Sequence, residues 1–193
     1  KLLKIKGIDQ EMEKDVQNFI KNCKNGKELV NNPASVSIEN LGHPINTKGS
    51  EYVPVISSDE SVLIFTYKGD KSKGGLQNEF GEPDEKGAYY EDVLISYKLG
   101  DIWLATEGLG GNINSDGHDA CIALSGDGQQ LFIYKDDKEG SGDIYVSDLD
   151  SNTWTTPVKL NININTEYWE GSASLSPDAK TLYFTSERPG GEG

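Results

Sequence analysis

The chain has 193 residues and a mass of 21.1 kDa, with 18 Lys and Arg against 32 Asp and Glu, a formal charge of −14 and a pI near 4.5. That length fits one ordinary domain or a slice of a larger protein, and that charge excludes a surface built to neutralise nucleic-acid phosphates or to rest on anionic lipid. No apolar run approaches the roughly 18–20 residues of a membrane-spanning helix, and a chain that opens at Lys1, without initiator methionine, signal peptide or lipid-attachment cysteine, reads as cut from a longer polypeptide.

The first element is a helix. From about Asp9 to Val30 the apolar residues Met12, Val16, Phe19, Ile20, Cys23 and Leu29 recur mostly at three- and four-residue steps between Glu and Lys, and Asn31-Asn32-Pro33 ends the pattern. Residues 1–32 are therefore a helical segment. Beyond Pro33 the texture changes to short alternating apolar runs separated by Gly, Asn, Asp and Ser, which predicts an all-β region over 33–193. Cys23 and Cys121 lie 98 positions apart in unrelated segments, so they suggest neither a disulfide framework nor a paired-cysteine metal knuckle.

The β region repeats itself. Ile45-Asn46-Thr47, Ile113-Asn114-Ser115 and Ile164-Asn165-Thr166 open three copies, and an acid follows five residues after each Asn, at Glu51, Asp119 and Glu170. Each copy continues with a strand that ends in a Ser-x-Asp turn, at Asp59, Asp127 and Asp178, and then a second apolar strand, so each predicts a tight hairpin. A third strand is suggested by Asp101-Ile102-Trp103-Leu104 and Asp143-Ile144-Tyr145-Val146, 42 residues apart, which is propeller-blade spacing. Trp154 to Leu160 reads as a fourth, outer strand. The turn aspartates are 68 and then 51 residues apart, which points to an insertion in the first copy near 69–97, a long loop or an extra hairpin. The expected fold is mainly β: a β-propeller of four-stranded antiparallel blades, incomplete in this chain at about two and a half blades, preceded by the short helical segment.

Ser176-Pro177-Asp178-Ala179-Lys180-Thr181-Leu182-Tyr183-Phe184-Thr185-Ser186, with the trailing Glu187-Arg188-Pro189-Gly190-Gly191, resembles the TolB-type WD40-like propeller repeat. The other two copies depart from it, with Ser58 and Gly126 where the family favours Pro. Blades of this kind preceded by a helical segment are similar to OmpA-family envelope proteins of the Bacteroidota, in which a tetratricopeptide array runs into a propeller and then a peptidoglycan-binding domain. The resemblance implies a periplasmic, outer-membrane-associated scaffold linked to type IX secretion, with residues 1–32 as the end of the helical array. It implies protein partners in an envelope complex, no nucleic acid, no direct membrane insertion, and peptidoglycan contact only through domains outside this sequence.

No motif for an enzyme stands out. There is no Gly-x-Ser-x-Gly elbow, no phosphate-binding Gly-rich loop and no His-Glu-x-x-His. His43 and His118 read as loop histidines that cap backbone groups, with a metal or proton-transfer role as the alternative. Asp136, Asp137, Glu139 and Asp143 have oxygen donors at spacings a Ca²⁺ loop could use but lack the order of a calcium-binding loop, and the simpler reading is a hairpin rich in turn residues. Asp116, His118 and Asp119 form a second, smaller group of the same kind. No cofactor is expected. Glu51, Asp119 and Glu170, repeated in register, are candidates for a ring of partner-binding carboxylates or for structural locks between blades, and Tyr168 and Trp169 for an exposed aromatic anchor. The function that follows is a non-catalytic binding scaffold. The alternative is a propeller enzyme or carbohydrate-binding module whose site lies on blades absent from this chain.

Overall fold

A computed structural model describes residues 10–78, 80, 82, 84–136 and 141–191. The chain divides into two compact units, Lys1–Glu39 and Asn40–Gly193. In the first, α1 runs over Gln10–Asn31, with Glu11 and Glu13 in its first turn, where the helix dipole favours negative charge. It stops because Asn32 turns both its backbone N–H (3.0 Å) and its side-chain amide (3.1 Å) back onto the Glu28 carbonyl, and Pro33 then removes the next donor and disfavours a helical residue before it. No residue of α1 is buried, and its apolar stripe, including Phe19 at 69% exposure and Leu29 at 70%, is open.

The second unit is antiparallel sheet throughout. β1 (Ser50–Ile56) and β2 (Val62–Lys68) form a hairpin, β3 (Gly75–Gln77) and β4 (Ala88–Tyr89) a small hairpin of their own, and β5 (Glu91–Leu99) lies along β2. Two short strands, β6 (Ile102–Trp103) and β7 (Glu107–Gly108), complete the first sheet on the far side of β5. The second sheet repeats this plan with β8 (Asp119–Leu124), β9 (Gln130–Lys135) and β10 (Asp143–Asp150), flanked by β11 (Thr153–Trp154) and β12 (Val158–Lys159). β13 (Glu170–Leu175) and β14 (Leu182–Ser186) form the third hairpin.

The sheets stack face to face. β8 packs against β1, β2 and β5, and β13 packs against β8, β9 and β10. The strand period of two sends alternate residues of a central strand to opposite faces, and β2 is apolar on both: Ile64 joins Val93, Ile113, Cys121, Leu131, Ile133 and Trp154 between the first two sheets, while Leu63, Phe65 and Tyr67 pack with Ile45 and Leu94 on the other side. Phe132 and Ile144 pack with Ile164 of the loop before the third hairpin and with Leu175 and Phe184 of the hairpin itself. Burying each such side chain is worth about 1.5–3 kcal/mol, so these two layers carry most of the cohesion between sheets.

One sequence expectation needs correction. Asp101-Ile102-Trp103 is not the counterpart of Asp143-Ile144-Tyr145: Ile102 and Trp103 form β6, which bridges the far end of β5 at Leu99 and Lys98, as Thr153 and Trp154 bridge Asp150 and Leu149. The true counterpart of Asp143 is Asp92, 51 residues earlier, on β5. Five consecutive buried residues, Asp92 to Ser96, make β5 the central strand, and burial on both faces outweighs the local Asp-Ile-aromatic likeness that pointed to 101–104. The extra residues of the first copy fall between β2 and β5, where β3 and β4 stand as an additional hairpin, so the segment 91–97 belongs to the sheet and not to the insertion.

Candidate functional site

The recurring polar residues are spent on holding the loops that lead into each sheet. In every copy the acid accepts hydrogen bonds from the hydroxyl residue four positions earlier: Glu51 from Thr47 N (3.1 Å) and Oγ1 (2.5 Å), Asp119 from Ser115 N (2.5 Å) and Oγ (2.7 Å), Glu170 from Thr166 N (2.8 Å) and Oγ1 (2.7 Å). Cations close the second and third locks, Lys135 on Asp119 and Arg188 on Glu170. Burial alone would raise the Glu170 carboxyl, but hydrogen bonds from Ser186, Thr166 and Arg188 outweigh it and hold the group below its ordinary range. Asp119 and Glu170 are fully buried and Glu51 half-buried, so as a surface ring of carboxylates they offer a partner little.

The Asn of the second and third Ile-Asn pairs is a second lock. Asn114 accepts from Val93 N (2.8 Å) and donates to Val93 O (3.0 Å); Asn165 does the same with Ile144 at 2.9 and 2.8 Å. Each amide thus imitates a strand and fastens a leading loop to the central strand of the sheet before it. At the opposite strand ends the three turns are identical: Ser57, Ser125 and Ser176 donate to Asp59, Asp127 and Asp178 (2.5–2.6 Å), and their Oγ atoms accept the N–H five residues on, at Val62, Gln130 and Thr181.

The positions beside these locks vary, and all the residues there except Ser50 line a cleft. The residue just before the recurring acid is Ser50, His118 or Trp169, and the residue just after it is Tyr52, Ala120 or Gly171. A large side chain in one copy and small ones in the next two open a cavity of about 420 Å³ between the starts of β1, β8 and β13, walled by Tyr52, Glu91, His118, Tyr134, Asp136 and Trp169. Two glycines make room for its aromatic walls. A Cβ at Gly171 would meet the Trp169 indole and one at Gly142, where φ is +53°, the Tyr134 ring.

His118 is the centre of this cleft. Its ring stacks on Tyr90 with centroids 4.2 Å apart, its Nδ1 contacts Glu91 Oε2, and its Nε2 lies 4.0 Å from Asp136 Oδ2. Glu91 Oε1 also accepts from Tyr52 (2.8 Å) and Lys68 (3.0 Å), so both oxygens of that carboxylate are engaged. A carboxylate can only accept, which makes Nδ1 the donor and leaves the lone pair of a neutral ring on Nε2. Burial lowers the His118 pKa and outweighs the neighbouring Asp136, which raises it. Asp136 itself receives Tyr134 OH at 2.5 Å. Cys121 lines the floor, but its thiol donates to Val53 O (2.9 Å) and burial pushes it up to about 12, so it is no nucleophile at neutral pH.

Tyr168 and Trp169, expected as an aromatic anchor, are 37% and 36% exposed, and Trp169 faces Tyr134 across the cleft at 6.2 Å. Of the residues weighed for calcium, Asp137 and Glu139 lie outside the described residues, Asp136 belongs to the cleft, and Asp143 is buried with Lys159 Nζ 2.5 Å from its Oδ2. Among the described residues no group of three or more His, Cys, Asp or Glu side chains is placed to hold a metal ion, and no helix is long and apolar enough to cross a membrane. Sequence reasoning missed Glu91, Tyr52 and Tyr134. Aligning the three copies on their acids and asking which flanking positions change would have found Tyr52 and His118; Glu91 needs the β2–β5 pairing. A larger cleft of about 830 Å³ opens at the turn end between the first two sheets; Ser57, Asp59 and Asp127 in its lining are tied up in the turns. Comparison with protein-family models, with curated proteins and with solved structures yielded no match.

Proposed function

We propose that this chain is part of a β-propeller of TolB-type WD40-like repeats that acts as a non-catalytic, protein-binding scaffold in a multidomain bacterial envelope protein. One observation carries the reading. The polar residues that recur from copy to copy are consumed by internal locks, while those that differ line an open cleft. A rigid repeated frame with variable side chains at one rim is what a binding platform requires, since rigid presentation lowers the ordering cost of association. Fold alone does not give function, and the sequence resemblance supplies the rest of the proposal: residues 1–32 as the end of a tetratricopeptide array, 33–193 as about two and a half blades, a periplasmic and outer-membrane-associated location, a link to type IX secretion, and peptidoglycan contact through other domains.

The test is native mass spectrometry of the parent protein isolated from its own cells, with and without residues 40–193. A stoichiometric protein companion that disappears with the deletion supports the scaffold. A parent protein that stays alone in both forms overturns it.

A further inference from the structure

Among the described residues, one negative charge of the cleft, that of Asp136, has no lysine or arginine partner. Lys68 and His118 both lean on Glu91, whereas Asp136 has the Tyr134 hydroxyl and, among the described residues, no lysine or arginine. Two acceptors therefore face each other across 4.0 Å, Asp136 Oδ2 and the lone pair of His118 Nε2. Two like acceptors gain nothing from one another. A single nitrogen placed about 2.8 Å from both would see them roughly 90° apart, close enough to tetrahedral N–H directions for one group to donate to each.

We propose that this cleft is the contact point of the scaffold and that it takes the ammonium group of a lysine side chain on a basic segment of the partner protein. The inference rests on the protein-binding reading above and names the chemistry of its partner. Three features select a cation that only donates. Asp136 supplies the charge, His118 Nε2 supplies a second acceptor held in place by Glu91, and Trp169 and Tyr134 supply aromatic walls whose faces attract an ammonium. The acceptors are too far apart for the narrow fork of a guanidinium to use both in its plane, so lysine fits better than arginine. The excess negative charge of the whole chain, −14, steers the same partner toward it. Protons compete with the ligand: once Nε2 is protonated it donates to Asp136 and the acceptor pair is gone. The charged groups that face the ring are Glu91, Asp136, Lys68 and Asp119, with Tyr90 stacked upon it.

The test uses the full chain, labelled with ¹⁵N in histidine and tryptophan side chains, and two probes: the peptide acetyl-Gly-Lys-Gly-amide and its Nε-acetyllysine counterpart. The lysine peptide is expected to shift the His118 Nε2 and Trp169 indole resonances saturably, with a Kd on the order of 1 mM, typical of so small a ligand. Acetylation of the lysine weakens binding about tenfold or more, Asp136→Asn and His118→Phe each weaken it about fivefold or more, and acidification that protonates His118 abolishes it. Asp136→Asn is nearly isosteric, and its far-ultraviolet circular dichroism and unchanged resonances away from the cleft report that it folds. Equal binding of the two peptides, or unchanged affinity in Asp136→Asn, overturns the proposal. The companion protein separates the two levels of the argument: if Asp136→Asn retains it while deletion of 40–193 loses it, the scaffold stands and the lysine site falls; if deletion leaves it, both fall.

Discussion

Replacing Asn114 with alanine removes two hydrogen bonds from a buried seam, and replacing Asn165 removes the same two and a third, to the Leu160 carbonyl at 3.1 Å; the losses differ in kind. The Val93 and Ile144 carbonyls keep a second donor, Leu109 N at 3.1 Å and Leu160 N at 3.1 Å. The Val93 and Ile144 N–H groups instead lose the Asn oxygen, inside a site where both residues are fully buried. An orphaned buried donor costs about 1–3 kcal/mol and a lost but replaceable bond about 0.5–1.5, so each variant is expected to lose about 2–4 kcal/mol. For a domain of this size that is a fall in Tm of roughly 4–15 °C. Asn46 provides the internal comparison, because it occupies the same place in the first copy and, among the described residues, its amide makes no such bond. Asn46→Ala should therefore shift Tm by less than about 2 °C, as surface substitutions do. Calorimetric scans of the three variants check this, and equal losses in all three would refute the idea that the amide works by fastening one sheet to the next.

Other outcomes follow from the same geometry. Gly171→Ala should expel the Trp169 indole from its seat, read as a red shift of tryptophan emission together with loss of the peptide binding described above, while Ser172→Ala, next to it on an exposed position, leaves both unchanged. Iodoacetamide at pH 8 should modify exposed Cys23 in the native protein and reach Cys121 only in denaturant, and intact mass distinguishes one adduct from two. The turn carboxylates Asp59, Asp127 and Asp178 are held below their ordinary range by the Ser hydroxyl of each turn, Asp59 at about 2. Their stabilising effect is present above the unfolded value of about 4 and is lost as pH falls through the folded values. Urea midpoints should thus drop between pH 4 and 2, and a variant with all three aspartates replaced by alanine should show a shallower drop; an identical drop would refute the assignment.

Much of this molecule can be read from its residues, and the places where the reading slipped have physical causes. The helix was legible because Val16, Phe19, Ile20 and Cys23 hold a helical period and Pro33 ends it; the structure places α1 within a residue or two of that expectation at each end. The three hairpins were legible because Ser-x-Asp fixes the same turn each time, a local device that needs nothing from the rest of the chain. The central strand β5 was misplaced because local likeness favoured Asp101-Ile102-Trp103, whereas strand choice is decided by burial on two faces, which only neighbouring sheets can confer. The cleft was half legible. His118, Asp136 and Trp169 stood out as residue types, but joining His118 to Glu91 across 27 residues depends on the register of β2 against β5, in which Lys68 faces Glu91. Glu51, Asp119 and Glu170 repeat for the reason that made them conspicuous, since each closes its own leading loop.

Site-specific photo-crosslinking in the native cell tests the proposed binding platform most directly. A photoreactive residue in place of Ser172, exposed on the wall of the cleft, is compared with one in place of Glu60, exposed in the turn at the far end of β1. The predicted result is a single protein adduct from position 172, none from position 60, and a crosslinked peptide that contains lysine. No adduct from 172, or the same adducts from both positions, would contradict a scaffold that binds its partner through this cleft.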